Sequence, residues 1–192
     1  MTRFIIRIAA ASLMALVSTA AFAAEPENTL VISLKDGDVS IALRPDLAPK
    51  HVEQIKALTR KGAYDNVVFH RVIDGFMAQT GDVQFGNSAK DFNPGQAGMG
   101  GSDLPDIKAE FSQEPFVRGT VGMARAQSPD SANSQFFITF GDASFLNGQY
   151  TVVGNVESGM ELVDKIKRGD EAQNGVVSDP DKMVKVKVAA DK

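Results

Sequence analysis

Alternating apolar and polar residues predict two β-strands near the start of the chain, at 29–34 and 38–43. Successive side chains of a strand point to opposite faces, so this alternation is typical of strands with one buried face. Residues 35–37 separate the two runs, and their Asp-Gly pair is a strong hairpin signal. We therefore expect an antiparallel hairpin, preceded by a short disordered lead at 24–28.

Two segments have the spacing of helices instead. Within 45–61 apolar residues recur every three positions, Pro49 suits a first helical turn, and Gly62 provides a stop signal. His51 falls on the polar side of this helix, where we expect it to be solvated. A second helix is predicted at 158–169, where a serine stands three residues before a glutamate, as in a capping box.

Six further apolar runs are short and strand-like, and turn residues separate them. They lie at 67–73, 76–80, 120–124, 135–140, 151–156 and 184–188. Eight short strands and two helices indicate a mainly β barrel or sandwich whose open ends the helices could cover. The glycine- and proline-rich segment 86–105 shows no period, and it is either a functional loop or a tolerated surface excursion.

The first 23 residues have the three parts of a secretory signal peptide. Arg3 and Arg7 provide a basic start, an apolar run follows at 8–22, and residues 21–23 form an Ala-x-Ala cleavage pattern. A transmembrane anchor is the alternative, but hydroxyl residues interrupt the run, and spanning takes about 20 apolar residues. We expect cleavage after Ala23, which leaves a single domain at 24–192.

Composition limits the partners and the chemistry. The chain has no cysteine, which excludes disulfides, thiolate metal sites and a cysteine nucleophile. Its net charge of −4 becomes −6 when the two arginines of the signal peptide are removed. An acidic domain is a poor candidate for binding nucleic-acid phosphates or an anionic membrane surface. We therefore expect an exported protein with a peptide or small-molecule partner, without nucleic acid and without stable membrane insertion.

Motifs of metal, covalent and nucleotide chemistry are missing from the sequence. His51 and His70 are its only histidines, and neither lies in a zinc-binding pattern. The sequence has no G-x-S-x-G turn for a nucleophilic serine and no Walker motif for a phosphate. We therefore expect no metal and no cofactor, and a site made of apolar, amide and cationic side chains.

Arg71 is the candidate cation of such a site, because it lies inside an otherwise apolar strand. A solvated strand edge would also explain an isolated arginine. However, Phe76, Met77 and Gln79 follow in the next strand and place apolar surface and an amide close to it. The guanidinium keeps its proton in proteins, so the strand pair offers a permanent positive charge beside an apolar surface.

A second segment supplies small and aromatic residues. Ala124 and Ala126 would let a peptide backbone approach closely, and Gln135 and Phe137 share one face of the following strand. Core packing is the alternative for the aromatic pair at 136–137, and we expect at least one of the two in the core.

These segments resemble the signature motifs of the cyclophilins. The first reads Phe-His-Arg-Val-Ile-x-Gly-Phe-Met-x-Gln-x-Gly-Asp at 69–82. The second combines Met-Ala-x-Ala at 123–126 with Ser-Gln-Phe-Phe-Ile-Thr at 134–139, and Phe-Leu-Asn-Gly at 145–148 begins a third. The similarity covers essentially all of the chain after residue 23. It implies a closed eight-stranded antiparallel β-barrel capped by two α-helices, with peptidyl-prolyl cis-trans isomerase activity.

The resemblance also implies roles for residues at matching positions. Arg71 matches the catalytic arginine, and the other matches near it are Phe76, Met77 and Gln79. Phe76, Met77 and Phe137 match the walls and floor of a proline pocket. Gln79 matches a polar substrate contact, and we expect it to orient Arg71 or to hold the substrate carbonyl as it turns during catalysis. The remaining matches contact the substrate: Ala124, Arg125, Ala126, Gln135, Phe145, Leu146 and Tyr150.

Three matched positions depart from what many cyclophilins carry. Phe145 stands in place of a tryptophan, Tyr150 in place of a histidine and Arg125 in place of an asparagine. Exported bacterial cyclophilins are similar in such positions. We expect these departures to weaken cyclosporin binding. We expect them to affect catalysis less, because the backbone groups at position 125 do not depend on its side chain.

The implied reaction breaks no covalent bond. Twisting an X–Pro bond removes C–N resonance over a barrier of about 18–20 kcal/mol. In the twisted state the proline nitrogen regains a localised lone pair. A hydrogen-bond donor aimed at this nitrogen therefore binds the twisted state better than either planar state. We expect Arg71 to be this donor, in a monomer that acts on unfolded or flexible proline-containing polypeptides in a bacterial periplasm.

Two other classes of protein are compatible with the pattern. One is a chaperone-like peptide-binding module with little isomerase activity, although holding a peptide does not require a cation over the proline nitrogen. The other is a lipocalin-like barrel, which would need an open apolar interior for a small molecule.

Overall fold

The computed structural model describes residues 25–90 and 92–191. The predicted signal peptide therefore lies outside the described residues. Eight strands and two α-helices form the fold, in the order β1 Thr29–Leu34, β2 Gly37–Leu43, α1 Pro49–Arg60, β3 Arg71–Ile73, β4 Met77–Thr80, β5 Thr120–Met123, β6 Phe136–Thr139, β7 Val152–Ser158, α2 Met160–Val163 and β8 Lys185–Val188. Single 3₁₀ turns occupy Pro26–Asn28, Ser144–Leu146 and Glu171–Gln173.

All strand pairs are antiparallel, in the order β3-β4-β6-β5-β7-β2-β1-β8. The order leaves β3 and β8 as edges, so the prediction of a closed barrel was wrong: the sheet is an open, curled half-barrel. The predicted strand at 67–73 shortens to its last three residues. The part before β3 meets the 181–183 segment only through separate hydrogen bonds, such as Phe69 N to Asp181 O and Met183 N to Val67 O, both 2.9 Å.

The first hairpin and α1 confirm the expectations from the sequence. Leu34 pairs with Gly37 across the turn, and α1 begins at Pro49. His51 departs from them, because it is buried rather than solvated. Its Nδ1 lies 2.7 Å from a carboxylate oxygen of Glu110, which also accepts hydrogen bonds from the first backbone N–H groups of the helix. No helix of the described residues is long and apolar enough to be a membrane span.

Two local expectations were wrong. Of the predicted lead, residues 25–28 are described and are folded: Glu27 in the 3₁₀ turn forms ion pairs with Lys56 at 3.0 Å and Arg60 at 2.8 Å on α1. The second helix is a single turn without a capping box. Its N-cap is Gly159 in the left-handed region, at φ +85°, with no capping side chain. A Cβ at this glycine would lie 2.6 Å from the backbone oxygen of Asp38, so the chain passes too close to β2 for a larger residue.

Neighbouring phenylalanines of β6 separate two hydrophobic clusters. Phe136 packs into the main core inside the sheet, with its ring edge-on to Tyr64 at 5.7 Å. Phe137 belongs to a smaller cluster on the other face, with Met77, Phe116 and Leu146 among its members. Both aromatic residues are therefore buried, on opposite faces. Because described side chains fill the inside of the sheet, the open interior of a lipocalin-like barrel is contradicted.

Candidate active site

A cavity of about 290 Å³ opens over the smaller cluster. Strands β3, β4 and β6, the segment directly after β5 and the 3₁₀ turn Ser144–Leu146 all contribute to it. Its lining is Arg71, Phe76, Met77, Gln79, Ala124, Arg125, Phe137, Phe145, Leu146 and Tyr150. The fold thus brings together residues that are up to 79 positions apart in sequence, all of them predicted site residues.

Ala126 and Gln135, the other two predicted site residues, line a neighbouring cavity of about 440 Å³. Gln79, Ala124 and Arg125 line both cavities and form the boundary between them. A bound chain could therefore place one residue in the smaller cavity and its neighbours along the larger, more polar one.

The floor of the smaller cavity is apolar and rigidly packed. Met77, Phe137 and Leu146 are buried there, and the Phe137 ring stacks on Phe116 with centroids 5.8 Å apart. At the mouth, the Phe76 ring lies 5.3 Å from that of Phe145, which is 62% exposed. Such a surface can bury an apolar ring of a ligand and exclude water from the bond next to it.

Arg71 forms the polar edge of this cavity. Its Nη1 donates to Oε1 of Gln79 at 3.2 Å, its Nε donates to the backbone oxygen of Asn174 at 2.9 Å, and its Nη2 donates to Oδ1 of the same asparagine at 2.9 Å. Burial lowers the pKa of the guanidinium, but an arginine starts so high that it stays charged. No carboxylate among the described residues forms an ion pair with it, so the positive charge is available to a ligand.

A relay of amides continues from Arg71 to the glycine-rich segment. Nε2 of Gln79 donates to Oε1 of Gln135 at 3.0 Å. Gln135 in turn donates to the backbone oxygens of Gly98 at 3.0 Å and Gly100 at 2.7 Å. Through these hydrogen bonds the two glutamines connect the cation to the glycine-rich segment.

The side chain of Asp82 also binds the glycine-rich segment. One of its carboxylate oxygens accepts from the backbone N–H groups of Gly98 at 2.7 Å and Gly100 at 3.0 Å, and the carboxyl group is fully buried. A Cβ at Gly100 would lie 2.4 Å from this carboxylate, so only glycine fits. At these two glycines the 86–105 loop is therefore attached to the site, which favours a functional loop over a surface excursion.

The Arg125 side chain connects two segments at the rim of the cavity, residues 124–127 and residues 149–150. Nη1 donates to the backbone oxygens of Ala126 at 3.0 Å and Gln127 at 3.1 Å, and Nη2 donates to that of Gln149 at 3.1 Å. The guanidinium also lies over the Tyr150 ring, 4.5 Å from its centroid. Two of the three departures noted in the sequence thus contact each other in a cation–π pair, which can be worth about 0.5–2 kcal/mol.

His70 predicts a pH dependence of stability. Burial lowers its pKa to about 4; nearby Asp82 opposes this shift and Arg71 adds to it. An unfolded histidine titrates near 6.5, so the unfolded state takes up a proton first as pH falls. The free energy of unfolding should therefore be unaffected above pH 6.5 and decrease by about 3 kcal/mol between pH 6.5 and 4.

Denaturant unfolding at several pH values measures this effect. The control is His70→Phe, which replaces the ring with one that does not titrate. The carboxylates titrate in both proteins, so the difference between the two curves isolates His70. Parallel curves for the two proteins from pH 6.5 to 4 would contradict the prediction.

Sequence reasoning missed two residues of the site. Phe116 supports Phe137 from below, and Asn174 holds Arg71. The Asn-Gly pair at 174–175 is a turn signal that could have indicated a left-handed residue. No local pattern could have shown that this turn meets a strand about 100 residues earlier.

The comparisons with known proteins identify one family. The family model described as "Cyclophilin type peptidyl-prolyl cis-trans isomerase/CLD" matches residues 29–188. A "Probable peptidyl-prolyl cis-trans isomerase" of Brucella suis biovar 1 is 65% identical over 188 residues, which are 96% of this chain and 95% of the relative. "Peptidyl-prolyl cis-trans isomerase A" of Dickeya dadantii is 36% identical and covers 84% of each chain.

Solved structures give the same result. A cyclophilin of Hirschia baltica has a TM-score of 0.73 at 25% identity, over 88% of this chain and 76% of that one. A Cryptosporidium parvum cyclophilin type peptidyl-prolyl cis-trans isomerase, solved in the presence of the dipeptide Ala-Pro, has a TM-score of 0.70 at 27% identity, over 83% and 98%.

The half-barrel of eight strands is the fold of a cyclophilin, and the chain belongs to this family. Its activity is accordingly peptidyl-prolyl cis-trans isomerisation.

Proposed function

We propose that the chain accelerates the isomerisation of X–Pro bonds in exported polypeptides and that Arg71 provides the catalytic hydrogen bond. The observation that carries this proposal is the position of the guanidinium. It lies at the edge of a cavity with an apolar floor, is charged, and has no ion-pair partner among the described residues. A prolyl ring on the floor of Met77, Phe137 and Leu146 has its nitrogen at the cavity edge, where the cation is.

Catalysis follows from the difference between the planar and twisted states. In the planar amide the nitrogen lone pair is delocalised and accepts a hydrogen bond poorly, whereas in the twisted state it is localised. Arg71 therefore binds the twisted state more strongly, and this differential binding lowers the barrier. Gln79 and Asn174 hold the guanidinium before substrate arrives, so little reorganisation is needed during the reaction.

The substrate residues on either side of the proline occupy the surfaces next to the smaller cavity. The backbone at 124–126 pins the substrate chain, and the polar cavity that Gln135 lines accommodates its neighbouring residues. Proline-containing flexible segments suit this groove, which is open to solvent along both cavities. The dipeptide Ala-Pro in the Cryptosporidium structure supports such a ligand.

A refolding assay separates this function from that of a chaperone-like holder. The client is an exported protein whose refolding is limited by an X–Pro bond, compared with a variant of the same client without that proline. The isomerase should accelerate the slow phase of the first client, at substoichiometric concentration, and leave the second unchanged. Equal suppression of aggregation in both clients, without a change in the slow phase, would favour the holder.

We place this activity in the periplasm, because the sequence of residues 1–23 has the parts of a signal peptide. An enzyme without cysteine also tolerates an oxidising compartment without mispairing. Mass spectrometry of the protein from a periplasmic fraction tests this, with a mature chain that begins at Ala24 as the expected result. An intact chain beginning at Met1 in the cytoplasmic fraction would contradict it.

We further propose that the enzyme acts as a monomer and binds cyclosporin weakly. The Arg125 guanidinium and the Tyr150 ring contact each other at the rim, where many cyclophilins carry asparagine and histidine. These bulky side chains change the surface that a large cyclic peptide would contact, while the backbone N–H of Arg125 has no hydrogen-bond partner among the described residues and stays available to a linear substrate. Titration of isomerase activity with cyclosporin tests the second point.

A further inference from the structure

Asn174 contacts the catalytic guanidinium twice. Its backbone oxygen accepts from Nε of Arg71 and its side-chain Oδ1 accepts from Nη2, both at 2.9 Å. Both acceptors belong to one residue, so a single turn fixes the position and the rotation of the guanidinium plane.

The turn that carries Asn174 is built independently of its side chain. Asn174 lies in the left-handed region, at φ +55°, directly after the 3₁₀ turn Glu171–Gln173. The backbone N–H of Gly175 donates to Asp170 O at 2.8 Å, and the Gly175 oxygen accepts from the N–H of Val72 in β3, also at 2.8 Å. The backbone would therefore stay in place if the side chain at 174 were shortened, and glycine adopts this conformation readily.

The two contacts also decide which donors face the substrate. A guanidinium has five N–H groups in a fixed planar fork. Asn174 takes two of them and Gln79 takes a third, and no other described residue forms a hydrogen bond with this guanidinium. One N–H on each terminal nitrogen is left without a partner among the described residues, and Arg71 lines the cavity, so these two donors are the ones available to a substrate.

Both holding residues are neutral amides. A carboxylate at either position would bind the guanidinium more strongly, but it would also compensate the charge that acts on the proline nitrogen. The amide acceptors orient the cation and leave its charge intact.

We propose that Asn174 is a positioning residue of the isomerase, which orients Arg71 through two neutral acceptors. This inference rests on the proposed role of Arg71. It predicts that the side chain at position 174 acts on turnover through the guanidinium, and that the neutrality of this side chain is as important as its shape.

Three variants of the full chain test the proposal on an Ala-Pro peptide. Asn174→Gly keeps the backbone acceptor and removes Oδ1, and we expect kcat to fall about tenfold, with KM changed less than twofold. Asn174→Asp keeps both acceptors and adds a negative charge, and we expect a fall at least as large. The control is Asn66→Gly, a left-handed asparagine at φ +62° that is not in the cavity lining, which should keep wild-type kcat.

A double-mutant cycle gives the decisive readout. If Asn174 acts through Arg71, then Asn174→Gly should change kcat less than twofold in an Arg71→Ala background. The same tenfold loss in both backgrounds, or wild-type kcat in Asn174→Asp, would overturn the proposal. Failure of the underlying function is distinguishable, because Arg71→Ala alone would then retain wild-type activity.

Discussion

Replacing Arg71 with alanine should lower kcat/KM for an X–Pro peptide by about 10²–10³-fold, the range found when one preorganised donor to a transition state is removed. The variant should fold normally, because the side chain lies at the edge of the sheet and is only half-buried. Arg71→Lys should recover part of the loss. A lysine keeps the charge but cannot span the acceptors of Gln79 and Asn174 with a planar fork.

A protease-free assay that follows cis-to-trans relaxation of the peptide measures this effect. Circular dichroism and thermal unfolding of both variants provide the control for folding. A folded Arg71→Ala protein with more than one third of wild-type kcat/KM would remove Arg71 from the mechanism, whatever the fold shows.

The second large effect concerns the floor of the cavity and uses two adjacent residues. Phe137→Ala should lower kcat/KM by about 30–100-fold, which corresponds to about 2–3 kcal/mol of lost apolar contact with the prolyl ring. Phe136→Ala also removes a phenyl ring, but this ring lies on the other face of the sheet, where it packs into the main core beside Tyr64. This variant should keep kcat/KM within about twofold of wild type, while its free energy of unfolding should decrease by about 3–5 kcal/mol.

Kinetics and denaturant unfolding of the two variants should thus rank them in opposite orders. Phe137 lies against an open cavity on one side, so its removal creates less new void than removal of Phe136. Both measurements are made at low temperature, where the less stable variant remains folded. If the two variants lost activity in proportion to their stability alone, Phe137 would have no separate role in binding.

Local patterns in the sequence predicted the faces of the site correctly. Alternation along β3 places Val72 in the core and Arg71 in the cavity lining, as expected from the strand period. The same rule separated Gln135 and Phe137 from Phe136. These features depend only on residues next to each other in one strand, so a single segment of sequence contains the information.

Features that depend on distant segments were missed or wrong. His51 has a polar position on α1, but it is buried because Glu110 arrives from a loop about 60 residues later. The closed barrel failed for a related reason. Closure depends on how the chain before β3 meets the segment before β8, and those backbones form separate hydrogen bonds rather than a ladder. Asn174 was missed because its function arises only where its turn contacts β3.

In the proposed mechanism Arg71 stabilises the twisted state and contributes little to binding of the planar substrate. Exchange NMR on an Ala-Pro peptide measures both quantities at once, as the Kd and the cis–trans exchange rate at saturation. For Arg71→Ala we expect a Kd within about threefold of wild type and an exchange rate lower by about 10²–10³-fold. A Kd that weakens by the full factor while the exchange rate of the bound peptide stays at the wild-type value would contradict it.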